Sequence, residues 1–172
     1  MPPATHGDQV ASPSAFPVRV VPRHGELVTV AARALAPGDV VMRLLGIHTD
    51  RPTRYSIQLD EHVHLDLPDG MTEERMQVDY PWRFLEHACA PNAVVRGDAL
   101  VALQPIAAGD VVTFDYHTTE YDMAAPFACR CGARDCVGTV RGFRHLPPAR
   151  QLRLAPHLRP WLRRHLQGHT AG

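Results

Sequence analysis

The 172-residue sequence contains no lysine; all 18 basic residues are arginine, and 18 acidic residues bring the formal net charge to zero. The arginine-for-lysine bias is read as GC-rich codon usage. No run of 18 apolar residues occurs, which excludes a membrane-spanning helix. The stretch Met1 to Val18 has neither a basic start nor an apolar core, so no secretory signal is expected and the chain is predicted to be cytoplasmic. No internal repeat of the solenoid kind appears. A hydrophobic content of 45% with 21% charged residues rules out wholesale disorder, a collagen-like repeat and a coiled coil. The length fits one ordinary domain with a small appendage.

Charge is spread unevenly. Residues 1–135 carry all 18 acidic residues and 11 arginines, so 11 − 18 = −7, whereas residues 136–172 carry seven arginines and no acid, so +7. An acidic body can draw in a cationic substrate, and a basic tail an acidic partner or nucleic acid; the alternative is compensation within the monomer.

Short strands dominate the pattern. Val18–Val20, Glu26–Arg33 and Val40–Leu45 read as strands, the last two separated by a turn at Ala36-Pro37-Gly38-Asp39. Arg54–Leu59 and His62–Leu67 read as a hairpin, the second strand alternating His62, His64 and Asp66 with Val63, Leu65 and Leu67 as a half-buried strand does. A short helix is expected at Glu73–Gln77. Ala93–Arg96 and Leu100–Leu103 follow, joined at Gly97-Asp98, and Ala107-Ala108-Gly109-Asp110 repeats the earlier Gly-Asp turn before an apolar Val111–Phe114. After Pro147-Pro148, Leu152, Leu158, Leu162, Leu166 and Trp161 form a helical stripe that Pro156 and Pro160 break into pieces. The stripe is read as packing on the domain with its arginines in solvent, against the alternative of contact with nucleic acid or an acidic partner.

Of four cysteines, Cys129, Cys131 and Cys136 lie within eight residues. In a chain read as cytoplasmic such clustering points to metal before disulfides. Three thiolates leave one position of a tetrahedral Zn2+ open. Cys89 closes the site if the chain folds back on itself; a water there would suggest catalytic zinc, and unrelated buried thiols are the remaining alternative. A closed structural site is preferred.

Arg83-Phe84-Leu85-Glu86-His87-Ala88-Cys89-Ala90-Pro91-Asn92 resembles the RFxNHxCxPN motif of SET-domain methyltransferases. Val112-Thr113-Phe114-Asp115-Tyr116 resembles their second motif, and Cys129-x-Cys131-x4-Cys136, with Gly138 and Gly142-Phe143 after it, is similar to the post-SET segment. The resemblance spans about residues 18–143. It implies a mainly β fold with short helices, of the β-clip type with a threaded, pseudoknot-like core. It divides the chain into a flexible segment 1–17, a SET domain 18–124, a zinc-binding post-SET segment 125–143 and an Arg-rich, partly helical tail 144–172. It implies a structural Zn2+ on Cys89, Cys129, Cys131 and Cys136, S-adenosylmethionine as cofactor, and Tyr116 as the catalytic tyrosine. Phe114 then lines the substrate channel and leaves room for more than one methyl group, and Tyr55 resembles the tyrosine of a channel-lining strand, with a substrate-binding and catalytic part. The cofactor-binding set is Glu26, Leu27, Val28, Arg83, Phe84, Glu86 and His87.

Two positions depart from the family pattern. Glu86 stands where the family has Asn, although a carboxylate still accepts hydrogen bonds from a cationic ligand. Glu26-Leu27-Val28 aligns with a Gly-x-Gly that lets backbone approach the cofactor. His62, His64 and His117 show no acidic spacing that completes a second metal site.

The chemistry itself is clear. A free lysine amine has a pKa near 10.4, so its nucleophilic form is scarce at neutral pH. An apolar channel and a nearby sulfonium both disfavour the ammonium, and holding the reacting atoms about 3–3.5 Å apart does the rest. A phenol suits the task because it orients the amine without ionising. The reading is methylation of a protein lysine in a basic peptide. The alternatives are a small-molecule amine or metabolite with altered cofactor use, and a non-catalytic SET-like binding module. With no lysine, the chain cannot methylate lysines of its own.

Overall fold

The computed structural model describes residues 15–167, so most of the N-terminal segment expected to be flexible lies outside the described residues. Its last residues do not behave as that expectation had it: Phe16 packs on the core and the Pro17 carbonyl accepts a hydrogen bond from Ala32 N–H at 2.9 Å.

The chain runs β1 (Val18–Arg23), β2 (Glu26–Ala31), β3 (Val40–Arg43), β4 (Ile47–Thr49), β5 (Ile57–Asp60), β6 (Val63–Asp66), α1 (Glu73–Asp79), β7 (Glu86–His87), β8 (Ala93–Arg96), β9 (Ala99–Ala102), β10 (Thr113–Phe114), β11 (Phe127–Ala128), β12 (Thr139–Val140), α2 (Pro148–Leu154) and α3 (Pro160–Gln167). The strands form small sheets: β1-β2, β3-β9-β8, β4-β6-β5, β7-β10 and β11-β12. All pairings are antiparallel except β7 with β10, which run parallel and join the two motifs singled out in the sequence.

The two Gly-Asp turns are structural counterparts. The Asp39 carboxylate accepts from Ala36 N–H at 2.9 Å and that of Asp110 from Ala107 N–H at 3.1 Å, with Gly38 and Gly109 left-handed at φ 90° and 88°. Leu35 and Ile106, which enter these turns, bridge each other. The main core, with Val41, Met42, Leu65, Leu100, Ile106 and Val112, lies among these sheets. A second cluster, Phe143, Leu146, Leu158, Trp161 and Leu162, joins the tail to the segment around Phe143, with Tyr121 and Val137 packed against it.

Three sequence expectations shift. The strand expected at Arg54 begins only at Ile57. Ser56 Oγ accepts from Thr53 N–H at 2.9 Å and Thr53 Oγ1 from Ser56 N–H at 3.1 Å, a side-chain turn that competes with sheet pairing. Alternation along β6 does not separate buried from exposed residues, because both His64 and Leu65 are buried. The reason is that β6 is the central strand of its sheet, beside β4, a strand not expected from the sequence. In the tail stripe Leu158, Trp161 and Leu162 are buried, but Leu152 points outward at 58% exposure.

Candidate active site and metal centre

Asn92 fixes the site's frame. Its side-chain N–H donates to Val111 O at 2.9 Å, and its oxygen accepts from Thr113 N–H at 2.9 Å. A single amide thus supplies strand-like hydrogen bonds to the second motif and brings β7 beside β10, with His87 opposite Phe114.

Tyr116 follows β10 on a 3-10 turn (Tyr116–Thr118). His87 holds its backbone N–H, and Asp115 caps the turn that follows. His87 Nδ1 accepts Tyr116 N–H at 3.1 Å, so the ring proton of the neutral imidazole sits on Nε2, 3.4 Å from Cys89 Sγ. Burial lowers the His87 pKa to about 4, against the opposing effect of Asp115. Asp115 accepts from both the backbone N–H (3.0 Å) and the Nδ1–H (2.7 Å) of His117. His87, Asp115 and His117 therefore form a buried cluster, engaged with one another and with the backbone around Tyr116. Sequence spacing missed it because Asp115 lies far from His87 in the chain.

The Tyr116 hydroxyl donates to Leu85 O at 2.7 Å. Burial, then the nearby Glu86 and Glu120, push the phenol well above its ordinary range, so it stays neutral. Its ring lies 4.7 Å from that of Phe114 and 5.9 Å from that of Phe127.

These groups face a narrow pocket of about 60 Å3 whose walls include Tyr55, Trp82, Arg83, Phe114, Tyr116 and Glu120. Tyr55 is thus beside Tyr116 and Phe114, but on a loop and half exposed, with the Arg83 guanidinium 3.2 Å from its ring centre. Glu120, which no motif marks, is brought back to the pocket by the turn: its N–H donates to Tyr116 O at 2.8 Å.

The residues expected to hold a cofactor come from two neighbouring segments. Glu26, Leu27 and Val28 lie on β2, tied to the 81–84 turn by the Thr29 hydroxyl, which donates to Pro81 O at 2.6 Å. Arg83 and Phe84 belong to that turn, and Glu86 and His87 to β7. Burial, and then Glu26, raise the Glu86 pKa. Neither carboxylate has an ion-pair partner among the described residues. This uncompensated negative potential suits a ligand with a cationic ammonium and sulfonium.

The four cysteines converge. Their sulfurs all lie within 4.8 Å of one another, with Cys89 and Cys129 3.9 Å apart. Four thiolates at about 2.3 Å from a tetrahedral Zn2+ stand about 3.8 Å apart, so donor set and spacing fit that ion. Strand β11, directly before Cys129, carries Phe127, whose ring lies 6.0 Å from that of His87. This link between the cysteine cluster and the pocket was not legible in the sequence, since no motif identifies Phe127.

Fold and site together define a SET domain. Two solved structures share the fold at a TM-score of 0.53: the human SETMAR methyltransferase domain, 18% identical over 75% of this chain and 59% of that one, and KRYPTONITE with mCHG DNA and SAH, 20% identical over 73% and 29%. No family model matches the chain. Among curated proteins, methyltransferase flvH of Aspergillus flavus is 29% identical over 84% of this chain and 76% of its own length. The H3 lysine-36-specific histone-lysine N-methyltransferase of Yarrowia lipolytica is 32% identical over 65% of this chain, which spans only 16% of that enzyme. The chain has the SET-domain fold and is similar in sequence to proteins named methyltransferases and histone-lysine N-methyltransferases.

Proposed function

We propose that this protein transfers a methyl group from S-adenosylmethionine to an amine nitrogen, the lysine side chain of a basic peptide being the first candidate acceptor. The observation that carries the reading is the neutral Tyr116 phenol, anchored on Leu85 O at the wall of a narrow pocket with Phe114 and Tyr55. When bound, the cofactor supplies an electrophilic methyl group. Glu26 and Glu86 accept hydrogen bonds from its cationic end, and Leu27, Val28, Arg83, Phe84 and His87 complete its surroundings. Tyr116 orients the amine, Phe114 and Tyr55 exclude water around it, and Phe114 leaves space for more than one methylation. Cys89, Cys129, Cys131 and Cys136 would hold a structural Zn2+, and the segment they gather carries Phe127 against the Tyr116 ring.

A second reading, a small free amine as acceptor, rests on Glu120, the one carboxylate among the described residues that line the pocket. The test is incubation of zinc-loaded protein and cofactor with lysine peptides and with free amines, read by mass spectrometry. Methylation of peptides supports the first reading and of free amines alone the second. Cofactor binding with neither product contradicts both. Absence of cofactor binding supports a non-catalytic module. Contact of the tail with an acidic partner or nucleic acid is a separate proposal, tested by binding of a short duplex.

A further inference from the structure

We propose that Glu120 receives the substrate amine: its free carboxylate oxygen accepts a hydrogen bond from the ammonium and takes one proton, leaving the nitrogen lone pair for methyl transfer. The inference rests on the amine-methylation reading above and assigns a role to a residue outside every motif.

The geometry is specific. Glu120 is nine-tenths buried and lines the same pocket as Tyr116. One oxygen, Oε1, is held by Gln58 N–H at 2.7 Å and by the Thr119 hydroxyl at 3.1 Å. Oε2 has no hydrogen-bond partner among the described residues, and no cation pairs with the carboxylate. The charged and titratable groups that share the pocket are Tyr116 on its own turn, Arg83 on the 81–84 turn, and Arg54 and Tyr55 on the loop before β5. The two arginines are stacked on the Tyr55 ring, at 3.2 Å for Arg83 and 5.5 Å for Arg54. Gln58 presents its backbone N–H from β5.

A buried carboxylate without a counter-ion is costly, and an ammonium is the complement that removes the cost. In a dry pocket such a pair relaxes toward neutral acid and neutral amine, because low dielectric disfavours both charged forms. Burial pushes Glu120 up to about 7, against the lowering effect of its two hydrogen bonds, which makes it a competent acceptor near neutral pH. In the step, one N–H bond breaks, the Oε2–H bond forms and the electron pair stays on nitrogen. The N–C bond then forms as the donor's C–S bond breaks. The product leaves as a methylammonium, and the Glu120 proton passes to water.

The test uses the zinc-loaded full chain with n-butylammonium as probe, followed by the Gln58 amide in 1H–15N NMR. Glu120→Gln keeps an oxygen for Gln58 N–H and Thr119 but loses the charge. At pH 8 the wild type is expected to bind about tenfold or more tightly than this variant. Wild-type affinity is expected to fall as pH drops through about 7, while the variant stays flat. Glu120→Asp, which keeps the charge, is expected to fall between the two. Equal affinity of wild type and Glu120→Gln, or no wild-type binding at high millimolar probe, overturns the proposal. Methyl transfer is read separately with the cofactor added. Charge-dependent amine binding without methylation overturns the enzymatic reading alone; methylation untouched by Glu120→Gln overturns the role of Glu120 alone.

Discussion

Tyr116 donates its phenolic hydrogen to the Leu85 carbonyl and is kept from ionising by burial. In the proposed reaction its part is therefore to orient the amine, which a phenyl ring cannot do. Tyr116→Phe is expected to cut turnover by about 100-fold or more and leave cofactor affinity unchanged, as steady-state rates and a binding titration would check. Losing the donor to Leu85 O costs a further ~1–2 kcal/mol of stability. Glu120 adds a pH signature. Its folded pKa of about 7 lies above the ordinary 4.5, so the fold favours the protonated form. That contribution is fully present below about pH 4.5 and is lost as pH rises through 7. Glu120→Gln is expected to raise the melting temperature relative to wild type at pH 8 and not at pH 4, by calorimetry. Tyr116, His87 and the cysteines were legible because motif and spacing name them. Glu120 and Phe127 were not, since each reaches the site only through tertiary folding: one by a 3-10 turn, the other on a short strand brought in where the Cys129–Cys136 segment meets Cys89.

Short elements depend on what clamps them. β7 and β10 are two residues each, and without the Asn92 amide little backbone pairing joins them. β11 and β12 are equally short and flank the cysteine cluster, so a metal held by that cluster would fold together with the segment. Chelation, or Cys129→Ser, is expected to release bound zinc, raise amide exchange over residues 125–143 and uncover Tyr116 by displacing Phe127. Full zinc content in the variant would contradict the assigned ligands. Most strands were readable from alternation and Gly-Asp turns. The loop bearing Tyr55 was not, because the Thr53–Ser56 hydrogen bonds outcompete a local β preference. β6 was misread in burial because a periodic pattern does not show whether a strand is central.

For the molecule as a whole, the opposed charges of body and tail meet within the chain: Arg144 pairs with Asp122 at 3.0 Å, Arg153 with Asp135 at 3.8 Å and Arg164 with Glu61 at 3.6 Å. Tail arginines also donate to body carbonyls, Arg159 to Leu59 O at 2.6 Å and to Gly97 O at 2.8 Å. The tail also completes the second core, where Leu162 is fully buried. Leu162→Ala is expected to cost about 2–5 kcal/mol in denaturant unfolding while sparing the main core, and a cost under 1 kcal/mol would show the tail to be peripheral.

The central claim is that this SET domain binds S-adenosylmethionine despite Glu86 and a β2 strand where glycines are expected. Calorimetric titration of the zinc-loaded protein with that cofactor tests it most directly. The expected result is saturable binding in the micromolar range. Folded, zinc-loaded protein that gives no binding at millimolar cofactor would contradict it.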